Sequence, residues 1–169
     1  MSEQFAVVIM GSDSDLPLVK NTLDVLKSFD IKYEVRVASA HRTPDVVSNY
    51  VVDAERRGAA VFICAAGLAA HLAGAVAART TRPVIGIPVD GGPLNGVDAL
   101  YSTVMMPGGI PVATVAVGKA GAKNAGFLAA QIMAIADKAL DEKVKANRAA
   151  AAQEVMDKDR ALQDKLKAL

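Results

Sequence analysis

Tryptophan is absent from the chain, and only four phenylalanines and three tyrosines occur among its 169 residues. So few aromatic faces give bases little to stack on, which argues against nucleic acid as a partner. A strong charge of either sign is also missing. Nineteen basic and eighteen acidic side chains leave a net charge of +1, so no long-range field steers the protein toward polyanions or an anionic membrane. The single cysteine, Cys64, excludes an intrachain disulfide and suits a reducing cytoplasm. Two histidines without a cysteine cluster form no zinc-ligand pattern. Met1-Ser2-Glu3-Gln4 has no basic leader, and no apolar run reaches spanning length without a charge or glycine. These absences together predict a cytoplasmic protein that binds neither membrane nor nucleic acid and holds no metal.

Apolar residues, by contrast, are plentiful at 52%, much of it alanine and valine, which predicts tight packing and buried subunit contacts. Residues 5–10 form a continuous apolar run ending at Gly11-Ser12, the pattern of a strand buried on both faces. Pro17 then opens a helix whose apolar stripe is Val19, Leu23, Leu26 and Phe29. Further strands are expected at 33–38, 59–65, 83–88 and 111–117, with helices at 44–57, about 69–79, 97–104 and 120–139. This alternation predicts an α/β fold: a single doubly wound parallel sheet of about five strands, a flavodoxin-like or Rossmann-like three-layer sandwich. From Leu140 the composition turns charged and alanine-rich, with Val155, Leu162, Leu166 and Leu169 at helical spacing. Residues 1–139 therefore read as an α/β catalytic domain. Residues 140–169 read as an amphipathic helical extension, of one or two helices, packed on the body or on a neighbouring subunit.

Ligands of open parallel sheets bind beyond the carboxyl ends of the strands. Three polar or glycine-bearing segments fall at such ends. In Gly11-Ser12-Asp13-Ser14-Asp15 a turn precedes a helix, where backbone N–H groups and hydroxyls can hold phosphate. It matches neither the Walker pattern nor GxGxxG. Ser12 suits a phosphate or sugar contact, while Asp15 repels phosphate and suits sugar hydroxyls or an amine. Helix capping by Ser14 or Asp15 explains this segment about as well. In Ser39-Ala40-His41-Arg42-Thr43-Pro44, Thr43 is expected to cap the helix that Pro44 begins. Capping leaves His41 and Arg42 unexplained. Arg42 can grip an anion and His41 can move a proton near neutral pH, a pairing that points to chemistry on a phosphorylated small molecule. The third segment runs from Gly67 and Leu68 to His71. There His71, following Ala69-Ala70 in an apolar helix, reads as a hydrogen-bonded structural residue or pocket wall. A phosphoacceptor receiver is disfavoured because Ala65-Ala66-Gly67 stands where its aspartate would end the third strand, and a flavin carrier lacks an aromatic sandwich. No Gly-x-Ser-x-Gly elbow marks an acyl-transfer serine.

An ordered set of motifs adds a resemblance. It comprises Gly11-Ser12-x-Ser14-Asp15, Ser39 to Pro44, Ala69-Ala70-His71-Leu72 with Gly74, and Gly96-x-Asp98-x-Leu100-x-Ser102. Met106-Pro107, Gly109-Ile110-Pro111-Val112 and Asn124-Ala125 complete it. Over roughly residues 5–139 the chain resembles the N5-carboxyaminoimidazole ribonucleotide mutase family, the bacterial type of phosphoribosylaminoimidazole carboxylase catalytic subunit. The resemblance implies an isomerase of de novo purine (IMP) synthesis that needs no cofactor and works as a homo-octamer. It would move a carboxylate from the exocyclic nitrogen of an aminoimidazole ribonucleotide to a ring carbon, by releasing and recapturing carbon dioxide. By position, His41 would be the general acid–base. Ser12, Asp15 and Arg42 would bind substrate, with Ser39 at its phosphate. Gly67, Leu68 and His71 would line the substrate pocket, and Ala66 to Ala69 would form a small apolar wall holding the gas. Leu68, Ala73 and Met105 depart from the family pattern, which has glycine, proline and glutamine there. Two neighbouring readings are direct carboxylation of aminoimidazole ribonucleotide and a mutase-like paralogue with an altered substrate. Arg42 and His71-Leu72-x-Gly74 favour the mutase, since the carboxylating branch has lysine after the histidine and a different third loop.

Overall fold

Six consecutive apolar residues, Phe5–Met10, form the central strand β1 and are buried throughout. The structure, a computed structural model, describes residues 4–167; the expectations for Met1, Ser2, Glu3 and Leu169 fall outside the described residues. After β1 come a 3-10 turn at Asp13–Asp15, α1 (Leu16–Ser28), β2 (Tyr33–Val37), α2 (Pro44–Arg57) and β3 (Ala59–Ala66). Then follow α3 (Leu72–Ala77), β4 (Val84–Pro88), α4 (Val97–Val104), β5 (Ala113–Thr114), α5 (Lys119–Ala134) and α6 (Lys138–Lys167). The sheet is parallel throughout, as the α/β alternation predicts, and its strands lie in the order β2-β1-β3-β4-β5.

Alternate residues of β1 feed two cores. Ala6, Val8 and Met10 pack with α1 and α5, while Phe5, Val7 and Ile9 pack with α2 and α3. The α1–α5 contact is close because α5 presents Ala122, Ala125, Gly126 and Ala129, all buried. A Cβ on Gly126 would lie 2.7 Å from Val25 Cβ, and the buried Thr22 hydroxyl donates to the Ala122 carbonyl at 2.7 Å. On the opposite edge Arg57 of α2 forms ion pairs with Asp53 and Glu34, and the Tyr50 hydroxyl donates to Glu34 at 2.8 Å. Those partners hold the Glu34 carboxyl well below its usual range, at about 2, with the Arg57 hydrogen bond the main cause.

Three elements differ from the expectations. β5 is only Ala113–Thr114, an edge strand that pairs with β4 alone. The helix expected over 69–79 starts at Leu72, so His71 stands at its N-cap rather than inside it. The helix expected over 120–139 ends at Ala134, and the Asp137 carboxylate accepts the Leu140 N–H at 3.0 Å to start α6 afresh. α6 is one helix of 30 residues; Leu140 is buried and Val144 packs on the core, whereas every residue from Lys145 to Lys167 is exposed.

Candidate active site

From β1 the chain steps outward to β2 and then crosses back to β3 on the other side. The switch in strand order therefore lies between β1 and β3, where a crevice must open at the carboxyl ends. Register sets the level of that crevice. Met10 pairs with both Val37 and Ala65, so the segments after β1, β2 and β3 leave the sheet side by side. They enclose a cavity of about 550 Å3 whose lining includes Ser12, Asp15, Ser39, His41, Arg42, Gly67, Leu68 and His71. The site residues expected from sequence thus meet around one space, within the size range of small-molecule sites.

The loop after β2 is locked by its own side chains. Ser39 N–H donates to the Thr43 hydroxyl at 2.9 Å, and that hydroxyl donates back to the Ser39 carbonyl at 3.1 Å. Thr43 holds the N-cap position of α2 but makes no side-chain cap bond, which corrects the capping expectation: its oxygen is committed to Ser39. Ser39 Oγ in turn accepts the Arg42 backbone N–H at 3.1 Å. The Arg42 guanidinium crosses to the first loop and donates to the Gly11 carbonyl at 3.2 Å, which aims its positive charge along the crevice.

In the first loop neither Ser14 nor Asp15 caps a helix. Ser12 does so for the 3-10 turn, accepting the Ser14 N–H at 3.3 Å, while the Ser14 hydroxyl donates to Ser12 Oγ at 2.8 Å. Asp15 sits at the N-cap position of α1 without a cap bond. Burial pushes its carboxyl above the usual range, only partly offset by the Ser12 backbone and the Ser14 side chain.

The third loop is compact, with Ala70 N–H donating to Leu68 O at 2.9 Å and His71 N–H to Ala69 O at 2.7 Å. It carries His71 to His41. Nε2 of His41 lies 2.7 Å from Nδ1 of His71, and the rings meet edge-on with centroids 4.8 Å apart. Leu68 takes φ of 55°, a left-handed conformation that costs a non-glycine residue about 1–2 kcal/mol. Leu68 adopts that turn where the family pattern has glycine, and it leans on Gly92, where an added Cβ would lie 2.5 Å from Leu68 Cδ2. Gly91, Gly92 and Val89 of the loop after β4 also line the cavity. Sequence reasoning missed these residues, although glycines just beyond a buried strand were a signal for them. Elsewhere, burial pushes the Cys64 thiol well above its ordinary pKa, which makes it inert at neutral pH. Among the described residues no group of three or more His, Cys, Asp or Glu side chains could hold a metal ion, and no helix is long and apolar enough to cross a membrane.

A sequence model of the AIR carboxylase family matches residues 6–154, which takes in the whole sheet except Phe5. The chain belongs to the AIR carboxylase family. Curated relatives in this family include the N5-carboxyaminoimidazole ribonucleotide mutase of Thermotoga maritima, 51% identical over 92% of this chain and 90% of that protein. The mutase of Bacillus subtilis is likewise 51% identical, over 89% of this chain and 93% of its own length. A crystal structure of Treponema denticola PurE superposes with a TM-score of 0.85 at 32% identity, covering 94% of this chain and 98% of that one.

Proposed function

We propose that this protein is an N5-carboxyaminoimidazole ribonucleotide mutase of de novo purine synthesis, an isomerase that yields 4-carboxy-5-aminoimidazole ribonucleotide. The observation that carries the reading is the His41-Arg42 pair at the mouth of the crevice in a chain whose relatives bear that name. Arg42 binds the phosphate by charge-assisted hydrogen bonds, and the Ser12 and Ser39 hydroxyls complete its cradle. Asp15, whose carboxyl burial pushes above its usual range, bonds sugar hydroxyls or the amine, away from the phosphate. The substrate's N-carboxylate is a carbamate. Protonation of its nitrogen by His41 breaks the carbon–nitrogen bond and frees carbon dioxide. The electron-rich ring carbon then attacks the gas, and His41 removes that carbon's proton to restore aromaticity. Gly67, Leu68 and the flanking alanines form the wall that keeps carbon dioxide beside its acceptor, turning a bimolecular encounter into a local one. No net proton is consumed, and no cofactor enters the balance.

The assembly belongs to the same reading: a cytoplasmic homo-octamer, with residues 1–139 as catalytic body and 140–169 as extension. Its support is the outer face of α4, where Val97, Tyr101 and Val104 form an exposed apolar stripe while Ala99 and Thr103 face the core. Such a stripe on a short helix is what a subunit contact covers.

The test supplies N5-carboxyaminoimidazole ribonucleotide and aminoimidazole ribonucleotide separately, in buffer free of bicarbonate. Product from the first substrate alone is expected. Product only from the second, and only with bicarbonate added, would make the enzyme a direct carboxylase. Inactivity on both would assign it another substrate.

A further inference from the structure

Resting on the mutase reading above, we propose that His71 is a positioning and proton-relaying residue: it holds His41 through a shared proton and carries protons between that ring and solvent. The separation of 2.7 Å between His41 Nε2 and His71 Nδ1 is a hydrogen-bond length, and two imidazole nitrogens can bond only with one proton between them. That contact fixes the chemistry of both rings. His41 has only Nδ1 left for the substrate, and His71 has only Nε2 left for water. Among the described residues neither ring makes another hydrogen bond, and both are exposed. The other charged groups lining the cavity are Asp15 and Arg42, and neither is bonded to either ring.

Two neutral arrangements of the pair follow, and the reaction alternates between them. In the first, His41 bears its proton on Nδ1 and His71 on Nδ1. His41 Nδ1–H gives its proton to the carbamate nitrogen, the carbon–nitrogen bond breaks, and carbon dioxide leaves. His71 Nδ1–H passes across to His41 Nε2 while His71 Nε2 takes a proton from water, so neither ring is left as an imidazolate anion. The pair then stands in its second arrangement, with Nδ1 of His41 bare. After the ring carbon has captured carbon dioxide, Nδ1 takes the carbon's proton and the carbon–hydrogen electron pair returns to the aromatic ring. The Nε2 proton of His41 returns to His71, whose own Nε2–H goes to water. Protons balance over the cycle. A neutral pair thereby serves as acid in the first half and base in the second. A lone neutral imidazole would have to become an anion to donate.

The test uses the full chain, whose two histidines are its only imidazoles. Nitrogen NMR of the labelled, substrate-free protein is expected to show a through-hydrogen-bond coupling between His41 Nε2 and His71 Nδ1, lost in His71→Gln. Because that coupling is read without substrate, it stands or falls independently of the mutase reading. In kinetics, His71→Gln is expected to lower kcat about 100-fold, the low end for acid–base assistance, with KM changed less than about threefold. Added imidazole is expected to restore turnover saturably in His71→Ala. Missing coupling with both rings assigned, His71→Gln at the wild-type rate, or a raised KM without imidazole rescue would each overturn the proposal.

Discussion

Replacing Arg42 with alanine is the sharpest probe of the phosphate grip. In the structure the guanidinium is solvent-exposed and makes one long bond of 3.2 Å to the Gly11 carbonyl, so little stability depends on it. That carbonyl keeps access to water when the side chain goes, and the fold should survive. Affinity should not. A hydrogen bond to a charged partner contributes about 1.5–3 kcal/mol, or roughly 10- to 150-fold in Kd. Exposure to solvent and salt places Arg42 in the lower part of that range, so a loss of about 10- to 30-fold is expected. Arg42→Lys keeps the charge but not the planar fork, and should fall between alanine and wild type, nearest wild type at low salt. Calorimetric titration with the carboxyaminoimidazole ribonucleotide product gives Kd, and steady-state kinetics give kcat and KM. His41→Asn is the matched control, expected to keep Kd while kcat drops at least about 100-fold. An Arg42→Ala protein that binds product within twofold of wild type would refute the assignment of this guanidinium to the phosphate.

Three further outcomes are expected. The Glu34 carboxyl lies at about 2 when folded against an ordinary 4.5, so its contribution is complete above pH 4.5 and disappears as pH falls through about 2. With the side chain 35% exposed, the contribution is discounted to about 1 kcal/mol, and Glu34→Gln should lose that much at pH 7 by urea unfolding while flattening the acid slope; an unchanged slope would contradict this. Gly126→Ala gains about 1 kcal/mol of helix propensity but drives a Cβ within 2.7 Å of Val25, so overpacking of about 1–3 kcal/mol should win, and a higher Tm would refute the close α1–α5 contact. Tyr101→Glu on the exposed stripe of α4 should yield a smaller species by sedimentation with near-wild-type circular dichroism; an unchanged mass would remove that face from the assembly.

Sheet and helix order were legible because β1, β3 and β4 are unbroken apolar runs, and only a parallel sheet covered on both faces needs those. The bounds of α2 were legible to the residue, since Pro44 opens it and Gly58, at φ of 108°, closes it. β5 was overread: Val112, Val115 and Val117 look like a strand, but only Ala113 and Thr114 pair with β4, opposite Ile85 and Gly86. The break between α5 and α6 carried a signal in Asp137, three residues before Leu140, which alanine-rich flanks obscured. At the site, the identity of the residues was readable from their positions at strand ends. The contact between His41 and His71 was not, because thirty residues and a strand separate the rings and only sheet register brings their loops together.

The long C-terminal helix has a kinetic consequence. Thirty residues at 1.5 Å each make a rod of about 45 Å; Asn147, Arg148 and Ala151 still line a groove beside Phe127 and Leu128, and residues 152–167 are all exposed. Amides near Leu140 are sheltered by the core and exchange only when the body opens, whereas those beyond Ala151 are guarded by the local helix–coil equilibrium, which is fast for an isolated segment. Any slow deuterium uptake there must therefore be imposed by another molecule, which makes this rod a natural gauge of association at each protein concentration.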